Sequence, residues 1–268
     1  MGALVKRARD GLTEHMLDRD DLSRELRTDL RSGGVYAVFQ PLIEIATGVV
    51  VGVEGLCRWN RSRGPAIQPE VFIPVAESTG LIHELGRFML DECLAAADRW
   101  RAAGHDVEVS VNVSPLQLTT PAFSADLAAK IIDRLSTPTA LTIEITESLP
   151  LRNLDEIVPR LEELRSTDVG VSLDDFGSGH TSVDQLRILP LTEVKFDRTL
   201  IQSESATVRR TLQDAAAKAK ELGLRTVAEG VETSAQLELA REVGCDRAQG
   251  FLLGAPMRLA EVDAILRR

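Results

Sequence analysis

The chain has 268 residues and a formal net charge of −10. That length exceeds the roughly 100–200 residues of a common domain but suits a single α/β barrel. A hydrophobic share of 44% excludes wholesale disorder, and so acidic a chain lacks the Lys and Arg stripe that would track a nucleic-acid polymer.

Residues 1–19 are polar, charged and weakly periodic, and are read as a linker or the tail of an upstream domain. Asp20–Ser32 reads as a helix that leads into the domain proper, which is expected to span 20–268. Short apolar runs then alternate with amphipathic stretches. The runs are Val35–Pro41, Val49–Trp59, Val107–Val113, Leu141–Thr146, Val169–Phe176, Glu193–Asp197, Arg225–Glu229 and Arg247–Leu253. Several are rich in Val, Ile and Leu on both faces, as strands covered on two sides would be. Helical patterns fall at Phe88–Ala103, Ala125–Leu135, Leu154–Ser166, Thr207–Leu222 and Ala235–Val243, with Gly104, Gly223 and Gly244 closing three of them. Eight strands with helices between them predict a (β/α)8 barrel. The first two runs are joined only by Leu42–Gly48, too short for a crossover helix, so one barrel strand is expected to run antiparallel in an N-terminal hairpin. No apolar run nears the roughly 18 residues that span a bilayer, so no membrane segment and a cytoplasmic setting are expected. Cys57, Cys93 and Cys245 have neither metal spacing nor a disulfide framework.

The informative positions are the last residues of each strand. They include Glu54, Asn112, Glu144 with Glu147 beyond it, Asp174 and Asp175, Lys195 and Asp197, Glu229, and Gln249. In a barrel these ends converge on the face that carries catalytic groups. Charges inside such apolar strands are costly unless a cation neutralises them. An all-oxygen set of Asp, Glu and an Asn carbonyl suits Mg²⁺ or Mn²⁺ and not zinc. Adjacent aspartates can serve two ions, the arrangement used for phosphodiester cleavage. Arg58 lies on the Glu54 face and can reach a phosphate with both of its terminal nitrogens.

The same residues carry a resemblance. EGLCRW (54–59), VSVNVS (109–114), IEITES (143–148), DDFGSG (174–179), VKFD (194–197), AEGVE (228–232) and AQGF (248–251) stand in the order of the motifs of the EAL domain, and QPLIEIATG (40–48) and FIPVAESTGLI (72–82) fit it too. The resemblance spans about residues 30–268 and implies a bacterial phosphodiesterase that linearises cyclic di-GMP to pGpG with two Mg²⁺ or Mn²⁺ ions. It implies one ion on Glu54, Asn112, Glu144 and Asp174, and a second on Asp174, Asp175 and Glu229, with Asp174 bridging. Lys195 would act on the attacking water and the phosphoryl oxygens; Arg58, Gln40, Gln249 and Asp197 would lie against substrate. Glu147 and Glu232 would anchor the loop after the fifth strand. The family also implies a homodimer near Gly179–Leu189 and an upstream sensory or GGDEF-type domain. The alternative is a receptor that binds the dinucleotide without cleaving it, a class that typically loses metal ligands or the lysine; every such position is filled here.

Three departures stand out. His180-Thr181 occupies a place where Tyr-Ser is usual, KFD replaces KID, and Gly55 replaces the alanine of the EAL triplet. Position 55 points away from Glu54, so the missing methyl is expected to loosen packing slightly.

Overall fold

The computed structural model describes residues 19–134, 140–146, 154–178 and 186–267. In chain order the elements are α1 (Arg19–Ser32), β1 (Val35–Glu44), β2 (Val50–Trp59), α2 (Pro69–Ser78), α3 (Ile82–Ala102), β3 (Glu108–Asn112), α4 (Pro115–Leu118), α5 (Pro121–Arg134), β4 (Leu141–Thr146), α6 (Leu154–Arg165), β5 (Gly170–Phe176), β6 (Glu193–Phe196), α7 (Arg198–Ile201), α8 (Ala206–Glu221), β7 (Arg225–Ala228), α9 (Ser234–Glu242), β8 (Arg247–Ala248) and α10 (Leu259–Leu266).

The eight strands close into a barrel in sequence order. β1 runs antiparallel to β8, whereas the pairs from β2 through β8 are parallel. The expected hairpin therefore forms, with Glu44 N–H on Val49 O at 2.9 Å and Gly48 N–H on Glu44 O at 2.8 Å. Gly104, Gly223 and Gly244 hold left-handed backbone just past their helices, as predicted.

The strands differ from expectation in one respect that matters for the site. On β3 to β6 the apolar residues do not cover both faces; they alternate with polar ones. Val109 and Val111 of β3, Ile143 and Ile145 of β4, Val171 and Leu173 of β5, and Val194 and Phe196 of β6 pack with Leu94, Ala97, Leu127, Ile131, Ile157 and Leu161 of the helices. The intervening Ser110, Thr142, Glu144, Ser172, Glu193 and Lys195 are buried on the inner face. The core of these four strands thus lies between sheet and helices and their inner face is polar, whereas on β7 the buried Val227 is the register partner of Lys195 and Arg247.

The eighth run is shorter than the sequence suggests, because pairing stops at Ala248. At Gly250 the chain passes so close to Val231 that a Cβ would lie 2.1 Å from its carbonyl oxygen, and a turn then closes from Leu253 N–H to Gly250 O at 3.0 Å. Helix α2, with Pro74 inside it, and helix α10 were not anticipated. Asp263 ties α10 down by accepting Trp100 Nε1–H at 2.9 Å and Arg99 Nε–H at 3.1 Å.

The chain divides into two compact units, Met1–Tyr36 with Arg58–Leu85 and Ala37–Cys57 with Gly86–Arg268. Within the first, Asp29 of α1 is fully buried and accepts Trp59 Nε1–H at 2.8 Å and Ser62 N–H at 3.0 Å. The Trp59 ring meets Phe72 edge to face at 5.8 Å, which makes this tryptophan a packing residue.

Within the second unit, Gly55 corrects the expectation of looser packing. A Cβ built there would stand 2.3 Å from Cys93 Sγ of α3, so the sulfur already fills the space of the missing methyl. Gly55→Ala should therefore destabilise by about 1–3 kcal/mol through overpacking. Adding Cys93→Ala should recover most of that loss. Denaturant titration of both single variants and the double variant measures the coupling, and strictly additive effects would disprove the contact.

Candidate metal centre and its surroundings

Parallel register brings the inner-face residues at the strand ends to one level. Asn112 of β3 pairs with Glu144 of β4, and Lys195 of β6 with Val227 of β7. Glu229, one residue past β7, is tied by its N–H to Phe196 O at 3.1 Å.

Alternation alone would send Asp174 and Asp175 to opposite faces of β5. A bulge prevents this. Leu173 pairs with Val194 while Phe176 pairs with Phe196, so β5 carries one extra residue, and Asp175 takes a left-handed φ of 59°. Both carboxylates then reach one site.

Two carboxylate triads result, Glu54 with Glu144 and Asp174, and Asp174 with Asp175 and Glu229. In each, one oxygen per residue lies within 4.8 Å of the others, and Asp174 belongs to both. Asn112 donates its amide Nδ2 to Glu54 Oε1 at 2.7 Å, which leaves its own carbonyl oxygen available as a ligand. Hard oxygen donors in this number suit a divalent cation of the Mg²⁺ or Mn²⁺ type. The buried Glu144 Oε1 has no protein partner among the described residues, as a ligating oxygen requires.

Lys195 stands at the centre, fully buried. Its Nζ lies 3.2 Å from Glu54 Oε2, 3.1 Å from Glu144 Oε2, 3.0 Å from Asp174 Oδ1 and 2.8 Å from Glu229 Oε1. Burial opposes its charge, but Asp174, Glu144, Glu229 and Glu54 hold the ammonium well above its ordinary range. Burial raises Glu144 well above the carboxylate range, reinforced by Glu54; burial and then Asp174 do the same to Glu229. Asp175 is pushed up to about 6, by burial first and then by Asp174 and Asp197. Glu54 moves the other way: burial lifts it, but Lys195, Gln249 and Asn112 together outweigh that and hold it ionised.

The amides expected near substrate have structural bonds. Gln249 Nε2–H donates to Glu54 Oε2 at 2.9 Å and to Gln40 Oε1 at 3.2 Å, and Gln40 Nε2–H donates to Gly254 O at 3.0 Å. Asp197 caps α7, accepting Thr199 N–H at 2.9 Å. Arg58 is half-buried near the end of β2. Glu232 is exposed, with its backbone N–H on Gln236 Oε1 at 2.8 Å, and the structure does not bring its carboxylate into the cluster. Glu147, His180 and Thr181 lie outside the described residues, as do residues 1–18.

A second charged layer, which the strand-end reading missed, lies at the opposite end of the same strands. Glu108 accepts from Arg225 at 2.8 Å and Arg247 at 3.0 Å, and also from the Thr142 hydroxyl. Glu193 Oε2 accepts from the same two arginines at 3.2 Å each. The available signal is a charge at the first residue of each of β3, β6, β7 and β8.

Replacing Lys195 with Met should leave the carboxylates without their internal cation and cost about 3–5 kcal/mol in the absence of divalent metal. Thermal unfolding in EDTA and in Mn²⁺ tests this. The metal should restore more of the melting temperature in the variant than in the wild type, because ion and ammonium compete for the same oxygens. Equal melting temperatures in EDTA would refute the counter-ion role.

Comparison with known proteins agrees with this geometry. The EAL domain family profile matches residues 23–256. The chain is 37% identical over 242 residues to the bifunctional diguanylate cyclase/cyclic di-GMP phosphodiesterase MucR of Pseudomonas aeruginosa, covering 88% of this chain and 35% of that protein. It is 34% identical over 249 residues to the cyclic di-GMP phosphodiesterase NbdA of the same organism, covering 92% of this chain and 32% of that protein. The chain therefore spans about a third of the length of these relatives. A solved structure of the PaMucR phosphodiesterase in complex with c-di-GMP superimposes with a TM-score of 0.84 at 36% identity, over 90% of this chain and 99% of that one. The barrel, its antiparallel first strand and the paired carboxylate triads accord with these matches, and the chain belongs to the EAL domain family.

Proposed function

We propose that this domain hydrolyses cyclic di-GMP to linear pGpG with two Mg²⁺ or Mn²⁺ ions, as a bacterial cytoplasmic signalling domain. The observation that carries the reading is the sharing of Asp174 between two oxygen triads. Five carboxylates, Glu54, Glu144, Asp174, Asp175 and Glu229, face one ammonium, and the excess of negative charge is what two divalent cations neutralise. One ion would be held by Glu54, Asn112, Glu144 and Asp174, and the other by Asp174, Asp175 and Glu229. When bound, the ions supply an activated water and charge neutralisation at the phosphoryl group.

The protein's own groups prepare that chemistry. Asn112 and Gln249 each donate to Glu54, on different oxygens, and fix its orientation. Lys195 is buried at the centre of the cluster, where it can donate to the water or to a phosphoryl oxygen as negative charge develops. Gln40 supports Gln249 and so acts on substrate at one remove, while Arg58 would take a phosphate. Glu147 and Glu232 would steady the loop after β5. Residues 1–19 would join the barrel domain, residues 20–268, to an upstream sensory or GGDEF-type domain. No described helix is long and apolar enough to cross a membrane.

Chromatography of cyclic di-GMP incubated with the protein and Mn²⁺ should show pGpG, and excess EDTA should abolish it. Asp174→Asn should stay folded yet lose at least about a thousandfold in rate, on the order of 4 kcal/mol in barrier height. Undiminished hydrolysis in EDTA, or near-normal turnover by Asp174→Asn, would refute the two-ion reading. Tight binding with no product at saturating Mn²⁺ would instead establish the non-hydrolysing receptor.

We also infer a homodimer through the region of residues 179–189, where His180 and Thr181 should make it weak. Sedimentation at tens of micromolar, a concentration matched to weak association, should show dimer; monomer alone would refute it.

A further inference from the structure

We propose that Ser172 and Glu193 hold one water inside the barrel, between the carboxylate cluster and the ion-pair layer beneath it, and that Ser172 is thereby a positioning residue for Glu144. Ser172, Glu193 and Glu144 are all fully buried. Ser172 Oγ, Glu193 Oε1 and Glu144 Oε1 have no hydrogen-bond partner among the described residues. Strand register sets the three residues side by side on the inner face. Glu144 pairs with Ser172 across β4 and β5, and Ser172 pairs with Glu193 across β5 and β6.

Buried hydroxyls and carboxylate oxygens are rarely left unpaired, because desolvation without a bond is costly. The neighbouring interior positions on β2, β3 and β4 are Gly52, Ser110 and Thr142, and none carries a side chain that reaches these atoms. The two arginines of the lower layer both bond the other oxygen of Glu193, Oε2. Neither Ser172 nor Glu193 belongs to a carboxylate triad, so a cation at the mouth does not account for them.

One water satisfies all three atoms. It donates one hydrogen to Glu193 Oε1 and the other to Glu144 Oε1, and it accepts the hydroxyl hydrogen of Ser172. A carboxylate oxygen accepts more than one bond, so Glu144 Oε1 keeps its capacity to ligate a cation. Ser172 then holds Glu144 through the water, as outer-shell partners hold ligands elsewhere. The positioning role rests on the reading of Glu144 as a metal ligand; the water itself does not.

The test combines a crystal structure at a resolution that shows ordered water with calorimetric Mn²⁺ titration of wild type, Ser172→Ala and Ser172→Thr. In wild type and Ser172→Thr, a water should lie within hydrogen-bonding reach of the three atoms. Mn²⁺ affinity should fall on the order of tenfold in Ser172→Ala and be retained in Ser172→Thr, a pattern that simple loss of packing would not give. A direct Ser172–Glu193 hydrogen bond with no water between them, or unchanged Mn²⁺ affinity in Ser172→Ala, overturns the proposal. Failure of wild type itself to take up Mn²⁺ refutes the metal reading and the positioning role with it, while the electron density still decides the water.

Discussion

The ammonium of Lys195 sits within ion-pairing distance of four carboxylates, wholly out of solvent, and the site around it is built to tolerate that arrangement. Bringing Glu54, Glu144, Asp174 and Glu229 together in a dry interior without a cation would drive them to take up protons. The lysine keeps part of the cluster ionised, and hydrogen bonds from Asn112 and Gln249 do the rest at Glu54. The consequence is division of labour among chemically similar groups. Glu54 stays charged, whereas Glu144 and Glu229 hold protons more readily. Divalent ions bound by these oxygens would compete with both the protons and the ammonium.

That cluster stands on a second layer of opposite logic. At the starts of the strands two glutamates meet two arginines in a balanced network, and Glu108 is held ionised because Arg247 and Arg225 outweigh its burial. The interior between the layers is shaped by an asymmetry in side-chain size. On β2 to β5 the inner positions below the site are Gly52, Ser110, Thr142 and Ser172; on β6 to β8 the long chains of Lys195, Glu193, Arg225 and Arg247 extend inward. A barrel filled by branched apolar residues is the commoner solution. Here the apolar residues of β3 to β6 lie outside against the helices, which leaves that side of the interior for charge.

Much of this was legible from residue order. The short Leu42–Gly48 connection required an antiparallel first strand, and charges at the ends of apolar runs marked the residues that the barrel gathers into the carboxylate cluster. What could not be read was anything that depended on a side chain's neighbour from elsewhere in the chain. Gly55 looked like a lost methyl until Cys93 was seen to fill its place. Gln40 and Gln249 resembled ligand contacts, and their amides bond one another. Apolar content on β3 to β5 suggested coverage on both faces, because composition cannot distinguish a polar residue that faces water from one that faces a charged interior. The four charges at the strand starts were visible in the sequence, but a lone arginine or glutamate at a strand's first residue is ordinary, and only barrel closure brings the four together.

The bulge in β5 bears on how such a centre can arise and be lost. Its extra residue is a matter of chain length and not of side-chain identity, so no substitution in a regularly alternating strand could aim two successive aspartates at one point. A deletion of Asp174 or Asp175, the two residues between Leu173 and Phe176, would restore ordinary pairing with β6 and preserve the closed sheet, yet leave a single aspartate facing the cluster. A descendant altered in that way would fold and retain most of the sequence motifs by which its kin are recognised, yet lack one carboxylate of the cluster.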